Sequence, residues 1–190
     1  MTKRQLMRQI VAAAILGIPF LLGAAIWAGG GLALAAGKKQ PPLATRSSPI
    51  AITHDDEFVW SVNPDNDSVS VFNVTSDQNA KVAEITVGKE PWCVAVTPDD
   101  EKVYVANMAG GTVSVISTVS KAVVRTIKVG TEPFGCALTP DGRTLYVANQ
   151  SSDTVSVIDT KRDRVVETID GVGAKPHGIA ISADGSRVFV

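Results

Sequence analysis

From about residue 48 onward, apolar and polar positions alternate in short runs, each closed by a turn. In 154–159, Val155 and Val157 fall on one face and Thr154 and Ser156 on the other. This period of two predicts a β-strand. Four such runs follow one another after Pro133: 134–139, 144–149, 154–159 and 164–169. Pro140-Asp141-Gly142 separates the first two, and Asp-Gly supplies the positive φ that a tight hairpin needs. The fourth run is the most polar and is expected on the outside.

The unit recurs. One copy starts at Pro91, 42 residues earlier, and another at Pro176, 43 residues later. Runs 92–97, 102–107, 112–116 and 122–129 form the earlier copy; a looser first copy has 50–53, 57–63, 68–74 and 81–87. A period of 40–45 residues with four strands per unit is the signature of a β-propeller blade. The expected fold is therefore all-β: a propeller of four-stranded blades, with about three and a third blades present. The repeats run 48–90, 91–132, 133–175 and 176–190, the last truncated, as in an N-terminal fragment of a longer chain.

The first strand of each unit explains the stacking. Cys93, Gly135 and Gly178 share one small face with Ala95, Ala137 and Ala180. Val94, Cys136 and Ile179, with Val96, Leu138 and Ile181, make the opposite, larger face. A strand apolar on both sides lies between two neighbours, and small residues on one side let sheets approach closely near a hub.

Residues 1–36 differ in kind. Lys3, Arg4 and Arg8 precede an uncharged stretch, 10–36, which reads as a hydrophobic helix: a signal peptide ending at Ala33-Leu34-Ala35 or a membrane anchor. Both readings export the remainder of the chain to the periplasm or the cell surface, with 10–36 as a tether if retained. Residues 37–47, with Pro41-Pro42, read as a linker to the propeller at 48–190.

Beyond residue 36 the chain has 15 basic against 19 acidic residues, which argues against nucleic acid as a partner and confines membrane contact to the N-terminal segment. Two histidines lack the partners of a metal site, no haem-attachment motif is present, and no nucleophile–base–acid order stands out. No catalytic residue and no cofactor is visible.

At Tyr104-Val105-Ala106-Asn107 and Tyr146-Val147-Ala148-Asn149 the chain resembles the YVTN-repeat β-propeller family. The first copy departs, with Trp60-Ser61-Val62-Asn63. The resemblance implies a seven-bladed ring in an exported or cell-surface protein. It brings no shared catalytic residue.

One station varies while the rest repeats. Trp92, Phe134 and His177 each follow the proline that opens a unit, and Glu90, Glu132 and Lys175 precede it. This station lies at a rim of the central channel, so the six residues are the candidates for contacting a ligand or partner: a protein, a surface polymer or a small molecule. The bland alternative is that the rings plug space between blades. Cys93 and Cys136 lie on adjacent hub strands and on opposite faces of their blades, so parity lets them face each other across one seam, as a disulfide or as two packed thiols, or face wholly apart. The expected function is an exported binding or scaffold module. The alternatives are the propeller part of a periplasmic redox enzyme, with haem or metal ligands downstream, and a lactonase-like hydrolase.

Overall fold

The computed structural model describes residues 45–46, 49–76 and 79–190. The signal-or-anchor segment and most of the linker lie outside the described residues.

Three four-stranded antiparallel sheets follow one another, each in simple sequence order. Blade 1 comprises β2 (Ile50–Ile52), β3 (Phe58–Asn63), β4 (Ser68–Asn73) and β5 (Ala80–Thr86). Blade 2 comprises β6 (Pro91–Val96), β7 (Lys102–Asn107), β8 (Thr112–Ser117) and β9 (Ala122–Lys128). Blade 3 comprises β10 (Pro133–Leu138), β11 (Thr144–Asn149), β12 (Thr154–Asp159) and β13 (Arg164–Asp170). Two short strands of a fourth unit, β14 (Ala180–Ile181) and β15 (Val188–Phe189), pair with each other. Thr45–Arg46 (β1) pairs with β14, so the end of the expected linker is a strand.

Burial follows the alternating faces. Val94, Val96, Val103, Val105 and Ile116 of blade 2 pack on Trp60, Val62, Val69, Val71 and Ile85 of blade 1. The other face of blade 2, with Cys93, Tyr104, Ala106, Val113 and Val115, packs on Cys136, Leu138, Leu145, Val147 and Ile158 of blade 3. Each fully buried aliphatic side chain contributes about 1.5–3 kcal/mol of hydrophobic stabilisation before entropy is subtracted. Along each seam the hub strands lie side by side, whereas the outer strands scarcely meet. Between blades 2 and 3 the small face of β6, Cys93 and Ala95, allows that close approach.

The outer strands are bulged at one repeated place. Ile116 pairs with Val123 but Val115 with Arg125, leaving Val124 as the extra residue. Val82 and Val166 are extra in the same way. All three are exposed. A bulge interrupts the hydrogen-bonding ladder of an edge and hinders pairing with another chain.

The turns from first to second strand are held by their own side chains. Thr97 Oγ1 donates to Asp99 Oδ1 (2.6 Å) and accepts from Lys102 N (3.0 Å). Thr53 with Asp55, Thr139 with Asp141 and Ser182 with Asp184 repeat the bond. These hydroxyl bonds come first among the causes that hold Asp55, Asp99, Asp141 and Asp184 below the usual carboxylate range.

Candidate functional site: the aromatic rim of the hub

Two of the hub strands, β6 and β10, begin at the rim with an irregularity. Pro91 pairs with Asn107 and Cys93 with Ala106, so Trp92 is the extra residue of a bulge. The register of β10 shifts in the same place, between Pro133 and Cys136, at Phe134. Bulges re-aim side chains. Here the result is a ladder. Trp92 and Phe134 stack with ring centroids 4.9 Å apart and planes 24° apart. Phe134 lies 3.7 Å from His177, tilted by 33°. The ladder is open to solvent at both ends: Trp92 is 39% exposed, and His177 is exposed.

The residue before each proline adopts left-handed backbone: Glu90 (φ 50), Glu132 (φ 53) and Lys175 (φ 53). Such conformations are uncommon for residues with a side chain and persist where surroundings over-determine them. Glu90 N donates to Asp67 Oδ1 of blade 1 (2.9 Å), and Glu90 O accepts from Met108 N of blade 2 (2.7 Å). Lys175 N donates to Asp153 Oδ1 (2.7 Å), and Glu132 O accepts from Gln150 N (2.8 Å). The peptide before each ring is thus tied to its neighbours, which fixes where the ring starts. The Glu132 carboxylate accepts a hydrogen bond from Ser151 Oγ. The side chains of Glu90 and Lys175 are exposed beside the ladder.

Asn107 and Asn149 sit beneath this rim. Asn107 Nδ2 donates to Thr112 Oγ1 and Ser114 Oγ, both at 3.0 Å. Asn149 does the same to Thr154 and Ser156. A Cβ on Gly88 would come within 2.6 Å of the Asn107 side chain, and one on Gly130 equally close to Asn149. Glycine is required there because the crossing loop runs directly over the amide.

Cys93 and Cys136 do face each other across the seam between blades 2 and 3, but they are thiols and not a disulfide. Cys93 Sγ donates to Cys136 O (3.2 Å) and accepts from Cys136 N (3.1 Å). The sulfur serves a backbone that faces another sheet, which replaces the bridge considered from sequence. Burial first, and the Cys93 sulfur second, push the Cys136 thiol well above its ordinary value, which makes it a poor nucleophile.

A cluster not anticipated from sequence lies at the opposite end of the strands. Tyr104 Oη of blade 2 donates to Asp163 Oδ1 of blade 3 (2.6 Å), and Lys102 Nζ pairs with Asp163 Oδ2 (2.8 Å). Both donors also reach Thr160 O. Burial, then the bond to Asp163, raises the Tyr104 hydroxyl far above its ordinary value. A tyrosine on a buried face needs an acceptor, and that is the only hint the sequence offered. Among the described residues no group of three or more His, Cys, Asp or Glu side chains is placed to hold a metal ion.

Comparison with known proteins agrees with this architecture. Residues 102–190 match the YNCE-like β-propeller family, and residues 33–122 match the seven-bladed β-propeller lactonases. No curated protein sequence matches the chain. Hydrazine synthase from Kuenenia stuttgartiensis is similar in structure, with a TM-score of 0.65, 28% identity, and coverage of 81% of this chain and 46% of that one. A functionally unknown protein from Desulfotomaculum acetoxidans gives a TM-score of 0.65 at 21% identity, covering 75% of this chain and 47% of that one. A candidate 6-phosphogluconolactonase from Bacteroides fragilis gives 0.62 at 15% identity, covering 72% and 42%. The chain spans less than half the length of each of these structures. The ordered blades, the small-to-large seams and these matches identify the chain as part of a β-propeller.

Proposed function

We propose that the chain is the exported binding part of a YVTN-type propeller and that its ligand lies on the hub rim at Trp92, Phe134 and His177. The observation that carries this reading is the ladder itself. Three rings in contact at one station of three successive units present an exposed apolar edge at the rim. Aromatic surface of this kind suits a ligand with a flat apolar face, and the Glu90, Glu132 and Lys175 side chains supply polar contacts around it. The Tyr-Val-Ala-Asn repeats support the YVTN reading. The basic N-terminus followed by uncharged residues 10–36 supports export.

The test titrates the full chain with cell-wall oligosaccharides and with aromatic peptides, following tryptophan fluorescence. Saturable binding that Trp92→Ala and Phe134→Ala each weaken by about tenfold or more supports the rim. Binding that both variants leave unchanged, or no binding across the panel, ends the proposal.

A second reading is the propeller part of a periplasmic redox enzyme. The 28% identity to hydrazine synthase over 81% of this chain favours it. Its haem or metal ligands would come from outside the present residues. A lactonase-like hydrolase has support from the match over residues 33–122 and the exposed His177 ring. Lactone hydrolysis by the full chain that His177→Ala abolishes would favour the hydrolase over the binding module.

A further inference from the structure

The rim of the hub carries charge as well as rings. Pro91, Pro133 and Pro176 are buried and open three successive units. The residues before them, Glu90, Glu132 and Lys175, share nearly the same left-handed backbone, with φ of 50, 53 and 53. The residues after them are Trp92, Phe134 and His177. Like backbone at like stations gives each charged side chain a similar start relative to its ring. The strip therefore sets a carboxylate with the indole, a carboxylate with the phenyl ring and an ammonium with the imidazole.

Neither carboxylate is spent on a cation of the protein. Glu90 is exposed, and neither it nor Glu132 makes an ion pair among the described residues. The Glu132 carboxylate accepts from the Ser151 hydroxyl, a neutral donor that leaves its charge uncompensated. The neighbouring cation, Lys89, is held by Asp67 Oδ2 at 2.5 Å. Lys175 stands with His177, and its backbone N donates to Asp153 Oδ1. An aromatic face is negative at its centre and attracts cations, the indole most strongly. At Trp92 and Phe134 the ring faces and the carboxylates act in the same direction. At His177 the ammonium of Lys175 opposes a bound cation.

We propose that the rim takes an organic cation, a ligand whose ammonium group sits at the Trp92 and Phe134 end of the ladder and whose apolar body lies along the rings. This rests on the rim being the binding site and adds the sign of the ligand's charge. It also gives the ligand a direction, since Lys175 turns the cationic group away from His177.

The test uses three probes with one ring and different charge: phenylethylammonium, phenylethanol and phenylacetate. Each is titrated into the full chain at low salt and neutral pH, and Kd is read by ligand-observed NMR, which serves weak binding in every variant. The ammonium is expected to bind about fivefold or more tighter than the alcohol, and the carboxylate more weakly than either. Glu90→Gln combined with Glu132→Gln brings the ammonium to within about twofold of the alcohol and leaves the alcohol unchanged. Raising sodium chloride to about 0.5 M weakens the ammonium alone. Equal binding of ammonium and alcohol, with both weakened by Trp92→Ala, overturns the cation preference and leaves the rim as the site. A preference that survives the double glutamine variant overturns it as well. Absence of binding by all three probes, or binding that Trp92→Ala and Phe134→Ala leave unchanged, overturns the preference and the rim reading together.

Discussion

The two complete seams are built from the same strands yet are closed by different chemistry. Between blades 2 and 3, Tyr104 and Lys102 grip Asp163, and a Cβ on Gly142 would fall 2.6 Å from Pro98. Between blades 1 and 2, Lys121 lies over Phe58, Trp60 Nε1 stands without a partner, and Asp100 bonds His54 in place of the glycine–proline contact. Every one of these pairs occupies equivalent stations of the repeat. The apolar centre of each seam is interchangeable because burial needs only volume and alternation. The polar end is not, because hydrogen bonds and charges need a specific partner. One seam gives its tyrosine and lysine a carboxylate, and the other leaves its indole donor without a partner.

Removing the clamp tests the contrast between the seams most severely. Asp163→Ala leaves the Tyr104 hydroxyl and the Lys102 ammonium without their carboxylate, and is expected to cost about 3 kcal/mol in urea unfolding. Lys121→Met, the same station in the other seam, removes only a cation over a ring and should cost about 0.5–1 kcal/mol. Equal losses would erase the distinction between the seams. Tyr104→Phe keeps the Lys102–Asp163 pair and should cost about 1–1.5 kcal/mol. It also alters the alkaline limb. The native chain holds the Tyr104 proton well above the ordinary 10.0, whereas the unfolded chain releases it there. The contribution is therefore complete below about pH 10 and falls away as pH rises past it. The urea midpoint of the wild type should drop more steeply above pH 10 than that of Tyr104→Phe, and parallel curves would remove the clamp's role. The smallest effect belongs to His54→Ala, where an exposed pair at 3.1 Å is lost, at about 0.5 kcal/mol or less. A loss as large as that of Asp163→Ala would show that the first seam depends on its polar end after all.

Much of the fold was legible. The expected runs and the observed strands differ mainly at their ends: 154–159 is β12 without change, and 134–139 became Pro133–Leu138. The small-and-large alternation on β6 and β10 told that both faces are buried but not which face meets which neighbour; the packing turns Cys93 and Cys136 toward each other at one seam. The bulges were less legible. Adjacent valines at 123–124 and 165–166 break the alternation, but nothing local says which of the two leaves the ladder. At the rim, the shared station of Trp92, Phe134 and His177 was visible by aligning the units. Their stacking was not, because it depends on the bulges at the start of β6 and β10 and on the distance between blades.

The strands, their order, the turn chemistry and the buried faces are all written in the sequence. They derive from alternation and from turn residues acting within one unit of the repeat. What each polar side chain meets across a seam is settled by the packing of one blade on the next. Tyr104 and Asp163 are 59 residues apart, and Lys121 and Phe58 are likewise in different blades. A hydrogen bond depends on angles and on tenths of an ångström, which no pattern along a single chain encodes. The same holds for Cys93, whose sulfur bonds the Cys136 backbone. Chain pattern sets which groups are buried, and sheet-on-sheet geometry sets which of them find partners and which, like Trp60 Nε1, do not.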